Sequence, residues 1–98
     1  MEVLWLEGAL ADLSGILEYI AERNPAAAPR VAAALRHAAT RLGTHPRVGR
    51  RGRVAGTREL VVPRLPLIIA YRVRPDRIEV VRVIHGRRDW RAAFRERA

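Results

Sequence analysis

The hydrophobic pattern of this chain changes its period near the middle, and that change is the strongest constraint on the fold. Apolar residues recur at helical spacing in residues 8 to about 22 and again in residues 25 to about 42. Asn24 and Pro25 are typical of an N-cap and a first helical residue, and Gly43 is typical of a helix end. Because few residues connect the two segments, we expect an antiparallel helical hairpin.

The second half of the chain carries the pattern of strands. Residues 58–62, 67–73 and 77–84 are dense in Val and Ile, and a turn at residues 74–76 indicates a hairpin between the last two runs. Residues 3–6 predict a short first strand, and residues 44–56 predict a loop rich in Gly and Arg. Residues 89–97 are compatible with a short last helix that Asp89 would cap.

The length of 98 residues suits one domain, which we expect to span residues 1–98. The order β-α-α-β-β-β, with the optional last helix, predicts an α+β fold in which the helical hairpin packs on one face of a small antiparallel sheet. The other face and its rim are then left for function. The side chains that we expect to be mostly buried are Leu13, Ile16, Leu17, Ile20, Val31, Leu35, Leu42, Ile69, Val80 and Val83.

The excess positive charge is confined to the second half of the chain. The formal net charge is +9, yet residues 1–46 carry four arginines and five acids, whereas residues 47–98 carry fifteen arginines and five acids. Arginine presents a planar, always-charged fork that suits phosphate, so this distribution predicts a polyanionic partner. An ordinary solvated basic face is the alternative.

Other classes of protein are disfavoured by what the chain lacks. It has no cysteine, which excludes disulfides, thiolate zinc sites and a cysteine nucleophile. The N-terminal residues resemble no signal peptide and no apolar run is long enough for a membrane span, so we expect a cytoplasmic protein. The three histidines lack metal-ligand spacing and no glycine-rich phosphate loop follows a strand, so we expect neither a metal nor a cofactor.

His85 is the most informative single residue, because it ends a predicted strand, stands near two arginines and can change charge near neutral pH. Tyr71 and Trp90 lie among the arginines, where aromatic rings either stack bases or belong to the core. Arg82, between apolar neighbours, needs an acid such as Glu59 or an open cleft. The basic residues that we expect to contact phosphate or RNA are Arg50, Arg51, Arg53, Arg58, Arg72, Arg82, Arg87 and Arg88.

Several segments together resemble the RelE/ParE family of bacterial toxins. The pattern DL-x-x-I-x-x-YIA-x-x-NP-x-AA-x-R at residues 12–30 is similar to the family's helical hairpin, and PRVGRRGR at residues 46–53 is similar to the loop after it. GTREL at residues 56–60, AYRV at residues 70–73 and RVIHGRRDW at residues 82–90 resemble its strand segments. The order and spacing of these motifs carry the resemblance, which extends over residues 3–90.

The resemblance implies the toxin of a type II toxin–antitoxin module, which arrests growth and is neutralised by a cognate antitoxin in a hetero-oligomeric complex. RelE-like members cleave mRNA in the ribosomal A site, whereas ParE-like members poison DNA gyrase. For a metal-independent endoribonuclease, the resemblance implies His85 as acid or base and Arg58 and Arg88 on the phosphate, with Glu59 as a second candidate for proton transfer.

The leading expectation is a ribosome-dependent mRNA endonuclease, with a ParE-like poison of DNA gyrase as the alternative. Arg58 and His85 favour mRNA cleavage, but arginines replace the loop lysines of some relatives and are poor general bases. The lysine-free loop is compatible with gyrase poisoning, and a nucleic-acid-binding module without toxicity is a third reading. In a meander of three strands, the start of the first and the end of the third lie at opposite ends, so Arg58 and His85 meet only if the strands are staggered or strongly twisted.

Overall fold

A computed structural model of the chain describes residues 1–85. In this part of the chain, two helices form one layer that packs on a five-stranded sheet. The elements are β1 (Glu2–Trp5), α1 (Glu7–Arg23), α2 (Ala27–Thr44), β2 (Arg50–Arg51), β3 (Arg58–Val61), β4 (Leu67–Val73) and β5 (Arg77–His85). The predicted α+β architecture is confirmed, and every predicted helix and strand in this part lies within two residues of its expected bounds. The predicted helix at residues 89–97 lies outside the described residues.

The sheet is mixed rather than purely antiparallel. Its strand order is β1-β5-β4-β3-β2, and β1 pairs in parallel with β5, from Glu2 beside Arg77 to Trp5 beside Val80. All other neighbours are antiparallel. Local periodicity indicates that β1 is a strand but not which strand it pairs with, because its partner lies at the far end of the chain. The two-residue β2, which interrupts the predicted loop, extends the opposite edge.

The main core lies between the sheet and the two helices. As expected, α2 buries Val31, Leu35 and Leu42, and the sheet buries Ile69, Val80 and Val83. The apolar residues of α1 are less deeply buried than those of α2: Ala9 is fully buried, whereas the residues that pack only partly buried against the core are Leu13, Ile16, Leu17 and Ile20. Helix α1 packs along β5 beyond the end of β1, and its outer apolar side chains border an open groove instead of a second layer.

The start of α2 also differs from the prediction. Asn24 does not cap it: the Asn24 amide donates to the Ile20 carbonyl at the end of α1, and the Asn24 carbonyl accepts from the Ala27 amide at 2.9 Å. The N-cap position is Ala26, with no side-chain capping bond. The backbone of Asn24, and not its side chain, therefore makes the hydrogen bonds between the two helices, and α2 begins two residues later than predicted.

Candidate functional site

Tyr71 fixes the loop that follows α2 onto the sheet. Its ring is fully buried in the core, its hydroxyl donates to the Pro46 carbonyl at 2.8 Å, and it accepts from the Gly49 amide at 2.9 Å. A Cβ at Gly49 would lie 2.7 Å from the Tyr71 hydroxyl, so this close approach requires glycine. Burial raises the pKa of Tyr71 and outweighs the lowering by the Gly49 amide and Arg58, which keeps the phenol a neutral donor.

Three arginines line one cleft beside this loop, which we call the arginine cleft. Arg58 pairs with Arg51 across β2 and β3, so both side chains lie on the same face of the sheet, and Arg47 lines the same space. The cleft has a volume of about 440 Å³. The Nη1 of Arg58 donates to the Gly49 carbonyl at 2.8 Å, which positions the guanidinium at the wall of the cleft. Guanidinium groups in this arrangement suit an anion such as phosphate.

The opposite face of β3 holds Glu59, which is only 2% exposed. Its Oε1 accepts from the Nε and Nη2 of Arg50 at 3.3 and 3.1 Å, and its Oε2 accepts from the Arg53 amide at 2.8 Å. Arg53 also approaches Oε1 through its Nε at 3.8 Å. Two of the predicted phosphate contacts, Arg50 and Arg53, therefore surround a buried carboxylate on the face away from Arg58. Glu59 itself is enclosed by these donors, which weakens its candidacy for proton transfer.

Glu79 on β5 forms a similar cluster with three arginines. The Nε of Arg74 donates to Oε1 at 3.0 Å, the Nη2 of Arg77 donates to Oε2 at 3.1 Å, and the Nη2 of Arg72 lies 3.4 Å from Oε1. The hydrogen bond from Arg74, and then that from Arg77, holds the pKa of Glu79 below its ordinary value. Arg72 was a predicted phosphate contact, whereas Arg74 and Arg77 were missed, although Arg74 is the first residue of the predicted turn and Arg77 follows it.

Arg82 is a correction to the predicted phosphate contacts. It is 1% exposed, and its Nε and Nη2 donate to the two carboxylate oxygens of Asp12 on α1 at 2.6 and 2.8 Å. Asp12 Oδ2 also accepts from the Val83 amide at 2.9 Å. The partner is thus Asp12 and not Glu59, and the guanidinium lies inside the protein, because α1 covers the edge of β5 where β1 has ended.

His85 is exposed at the end of β5 and lines an apolar groove of about 510 Å³ together with side chains of α1, including Ile16 and Ile20. It does not lie beside Arg58. His85 of β5 pairs with Leu67, the first residue of β4. Arg58 of β3, the strand on the other side of β4, pairs with Tyr71, four residues further along. Strand spacings place the two Cα atoms about 16 Å apart. The two residues therefore border different cavities.

The remaining predicted site residues, Arg87 and Arg88, lie outside the described residues, as does Trp90. Within residues 1–85, no group of His, Asp and Glu side chains is arranged to hold a metal ion. No helix in that part of the chain has the length and apolar character to cross a membrane.

Known toxins resemble this chain over most of its length. A family model described as the ParE toxin of the type II toxin–antitoxin system parDE matches residues 3–90. The chain is similar to the "Putative toxin Y4kP" of Sinorhizobium fredii, with 40% identity over 90% of this chain and 91% of that protein. It is similar to "Toxin RelE2" of Caulobacter vibrioides, with 41% identity over 89% and 97% of the two chains. Among solved structures, it resembles a chain of the chromosomal ParDE toxin–antitoxin system of P. aeruginosa, with a TM-score of 0.79, 25% identity, and coverage of 87% and 95%.

Proposed function

Since the chain belongs to the ParE/RelE family of type II toxins, we propose that it arrests growth as a ParE-like poison of DNA gyrase. Family membership also implies a cognate antitoxin that binds and neutralises it. Action on gyrase or on the ribosome would place the toxin in the cytoplasm. Relatives of this chain carry both ParE-like and RelE-like names, so family membership alone leaves the target of the toxin to be proposed.

The separation of Arg58 and His85 carries the proposal. Cleavage of RNA by its own 2′-hydroxyl requires a base, a cation and an acid at one phosphate, within hydrogen-bond reach of the reacting oxygens. The Cα atoms of Arg58 and His85 are about 16 Å apart by the sheet register, and their side chains border different cavities, which disfavours joint action on one phosphate. Arg82 is held by Asp12, and Glu59 is enclosed by Arg50 and Arg53, so neither replaces the missing group. This arrangement favours a toxin that acts by binding.

A ribosome-dependent endoribonuclease is the second candidate. The observation that favours it is the arginine cleft, in which Arg47, Arg51 and Arg58 line a space that suits a phosphate. In that case His85 and Arg88 would have to reach the same phosphate from the end of β5. Because an arginine is a poor general base at neutral pH, the cleft alone would bind RNA without cutting it.

The test compares the two targets with one preparation of toxin. We expect the full chain to block supercoiling by gyrase and to accumulate cleaved DNA, and to leave mRNA intact on programmed ribosomes. Expression of the chain should arrest bacterial growth, and co-expression of the antitoxin should restore it. Cleavage of mRNA in the A site together with undisturbed supercoiling would refute the proposal and establish the nuclease.

Single variants sharpen the comparison. His85→Ala should leave gyrase inhibition and toxicity unchanged. The matched variant His37→Ala, which removes an exposed histidine from α2, should also leave both unchanged. If His85 were the acid or base of a nuclease, His85→Ala would lower cleavage by about 10²–10⁴-fold. Loss of toxicity in His85→Ala but not in His37→Ala, with the fold intact, would count against the gyrase proposal.

A further inference from the structure

The sheet face that points away from the helices carries arginines on buried carboxylates. Ala70 and Arg72 alternate with Tyr71, whose ring lies in the core against the helices, so they point to the opposite face. Glu59 pairs with Ala70, and Glu79 pairs with Arg72, which places both glutamates on that face. We call the arginines around these two carboxylates the arginine platform: Arg50, Arg53, Arg72, Arg74 and Arg77.

The platform is both positively charged and open to solvent. Its five guanidinium groups meet two buried glutamates and the exposed Asp76, which contacts Arg77, so positive charge is in excess. The arginine side chains keep between 36% and 58% of their surface exposed, whereas the side chains of Glu59 and Glu79 are 1% and 10% exposed. The carboxylates are therefore more deeply buried than the arginine side chains that contact them.

Buried carboxylates also prepare these arginines for a ligand. A free arginine side chain loses much rotamer freedom when it binds a phosphate, and this loss opposes binding. Here Arg50 and Arg74 are already held by Glu59 and Glu79 through hydrogen bonds of 3.0 to 3.3 Å. A phosphate that binds Arg50 or Arg74 therefore restricts a side chain that is already partly fixed, and the entropy loss on binding is smaller.

We propose that the arginine platform binds the phosphate backbone of duplex DNA. The sheet register separates Glu59 and Glu79 by two strands and two residues, which places the two clusters about 12 Å apart. That distance lets each cluster contact a different phosphate. Single-stranded nucleic acid usually needs exposed aromatic rings for base stacking. Of the three rings in residues 1–85, Trp5 and Tyr71 pack on the helix side of the sheet and Tyr19 lies on α1, so none is on the platform.

Binding of this kind reads the backbone and not the sequence of the DNA. The inference rests on the proposed function in one respect, because gyrase acts on duplex DNA and the platform would hold the toxin against that DNA. The binding test below contains no gyrase. Its failure alone would overturn only the platform, and failure of gyrase inhibition alone would overturn only the proposed target.

The experiment measures anisotropy of a fluorescent duplex of about 30 base pairs with the full-length toxin at several salt concentrations. The double variant Arg50→Gln and Arg74→Gln removes one guanidinium from each cluster. The matched control, Arg30→Gln and Arg36→Gln, makes the same charge change at exposed positions on α2. The platform variant should bind about tenfold more weakly near 0.1 M salt, and the slope of log K against log salt should fall by about two because two phosphate contacts are lost. The control should retain the wild-type slope.

Three results would overturn the inference. One is equal weakening in the platform and control variants, which would mean that net charge alone attracts DNA. Another is tighter binding of single-stranded RNA of the same length with the same dependence on Arg50 and Arg74. The third is an unchanged affinity for DNA when the platform variant loses affinity for an acidic peptide. If the double variant does not keep the far-ultraviolet spectrum of the wild type, Arg50→Gln against Arg30→Gln tests the same point with a slope change of about one.

Discussion

Removal of the Asp12 carboxylate should strongly destabilise the fold. The Asp12 and Arg82 side chains are 10% and 2% exposed, so Asp12→Ala leaves a buried guanidinium without the carboxylate that binds its Nε and Nη2. Breaking one side of a buried ion pair costs about 3–5 kcal/mol. A domain of this size has a total stability of about 5–15 kcal/mol, so the loss is a large fraction of it.

The Val83 amide adds to this loss, because it donates to the same carboxylate. Asp12→Asn keeps an oxygen that can accept one hydrogen bond and should therefore lose less stability than Asp12→Ala. The double variant Asp12→Ala with Arg82→Met removes both charges and should recover part of the loss, since an apolar replacement of a buried pair is often neutral.

Urea unfolding monitored by circular dichroism gives the free energies, and thermal unfolding gives an independent check. The expected decrease in melting temperature for Asp12→Ala is about 12–40 °C. Added salt should change the difference little, because a buried pair is poorly screened. A loss below about 1 kcal/mol in Asp12→Ala, or a double variant less stable than Asp12→Ala, would refute the view that Arg82 depends on Asp12.

The other predictions concern the core, the loop and the response to acid. Leu35→Ala should cost about 2–5 kcal/mol in urea unfolding because Leu35 is fully buried, whereas the half-buried Leu17→Ala should cost about 1 kcal/mol; equal losses would contradict the observed burial. Tyr71→Phe should cost about 1–3 kcal/mol and speed hydrogen exchange at the Gly49 amide, which loses its acceptor; unchanged exchange there would show that the loop is held otherwise. The lowered pKa of Glu79 stabilises the fold above its ordinary value of 4.5, and this contribution disappears as the pH falls below that value. Glu79→Gln should therefore lose less unfolding free energy than the wild type between about pH 5 and pH 2, and an identical loss in both would contradict the role of Arg74 and Arg77.

Elements with a strong local signal could be predicted from the sequence, and pairings between distant residues could not. The stripe of α2 and the Val-rich strands indicate their own structure, because periodicity acts within one element. The parallel pairing of β1 with β5 has no local signal. Asp12 did carry a signal, since a carboxylate beside Leu13 in the apolar stripe of α1 indicates a buried partner, but its identity depends on a residue 70 positions away.

The candidate site was predicted less well than the fold. An excess of arginine indicates a basic surface, but it does not distinguish a guanidinium that faces a ligand from one that holds a carboxylate. Arg82, Arg50 and Arg58 look alike in sequence, yet they lie in the interior, on the platform and at the arginine cleft. The faces follow from the register of β2, β3 and β4, which the sequence pattern does not specify.

The pairing of β1 with β5 determines when the sheet can form during synthesis of the toxin. When Glu2–Trp5 has been synthesised, its partner strand does not yet exist, and about 70 further residues require about 4–14 s at bacterial elongation rates. During that interval β1 has no strand to pair with, and Asp12 has no arginine side chain to bind. The native sheet therefore closes only after β5 has been made. Until then a nascent chain lacks both the complete sheet and the buried pair of Asp12 with Arg82.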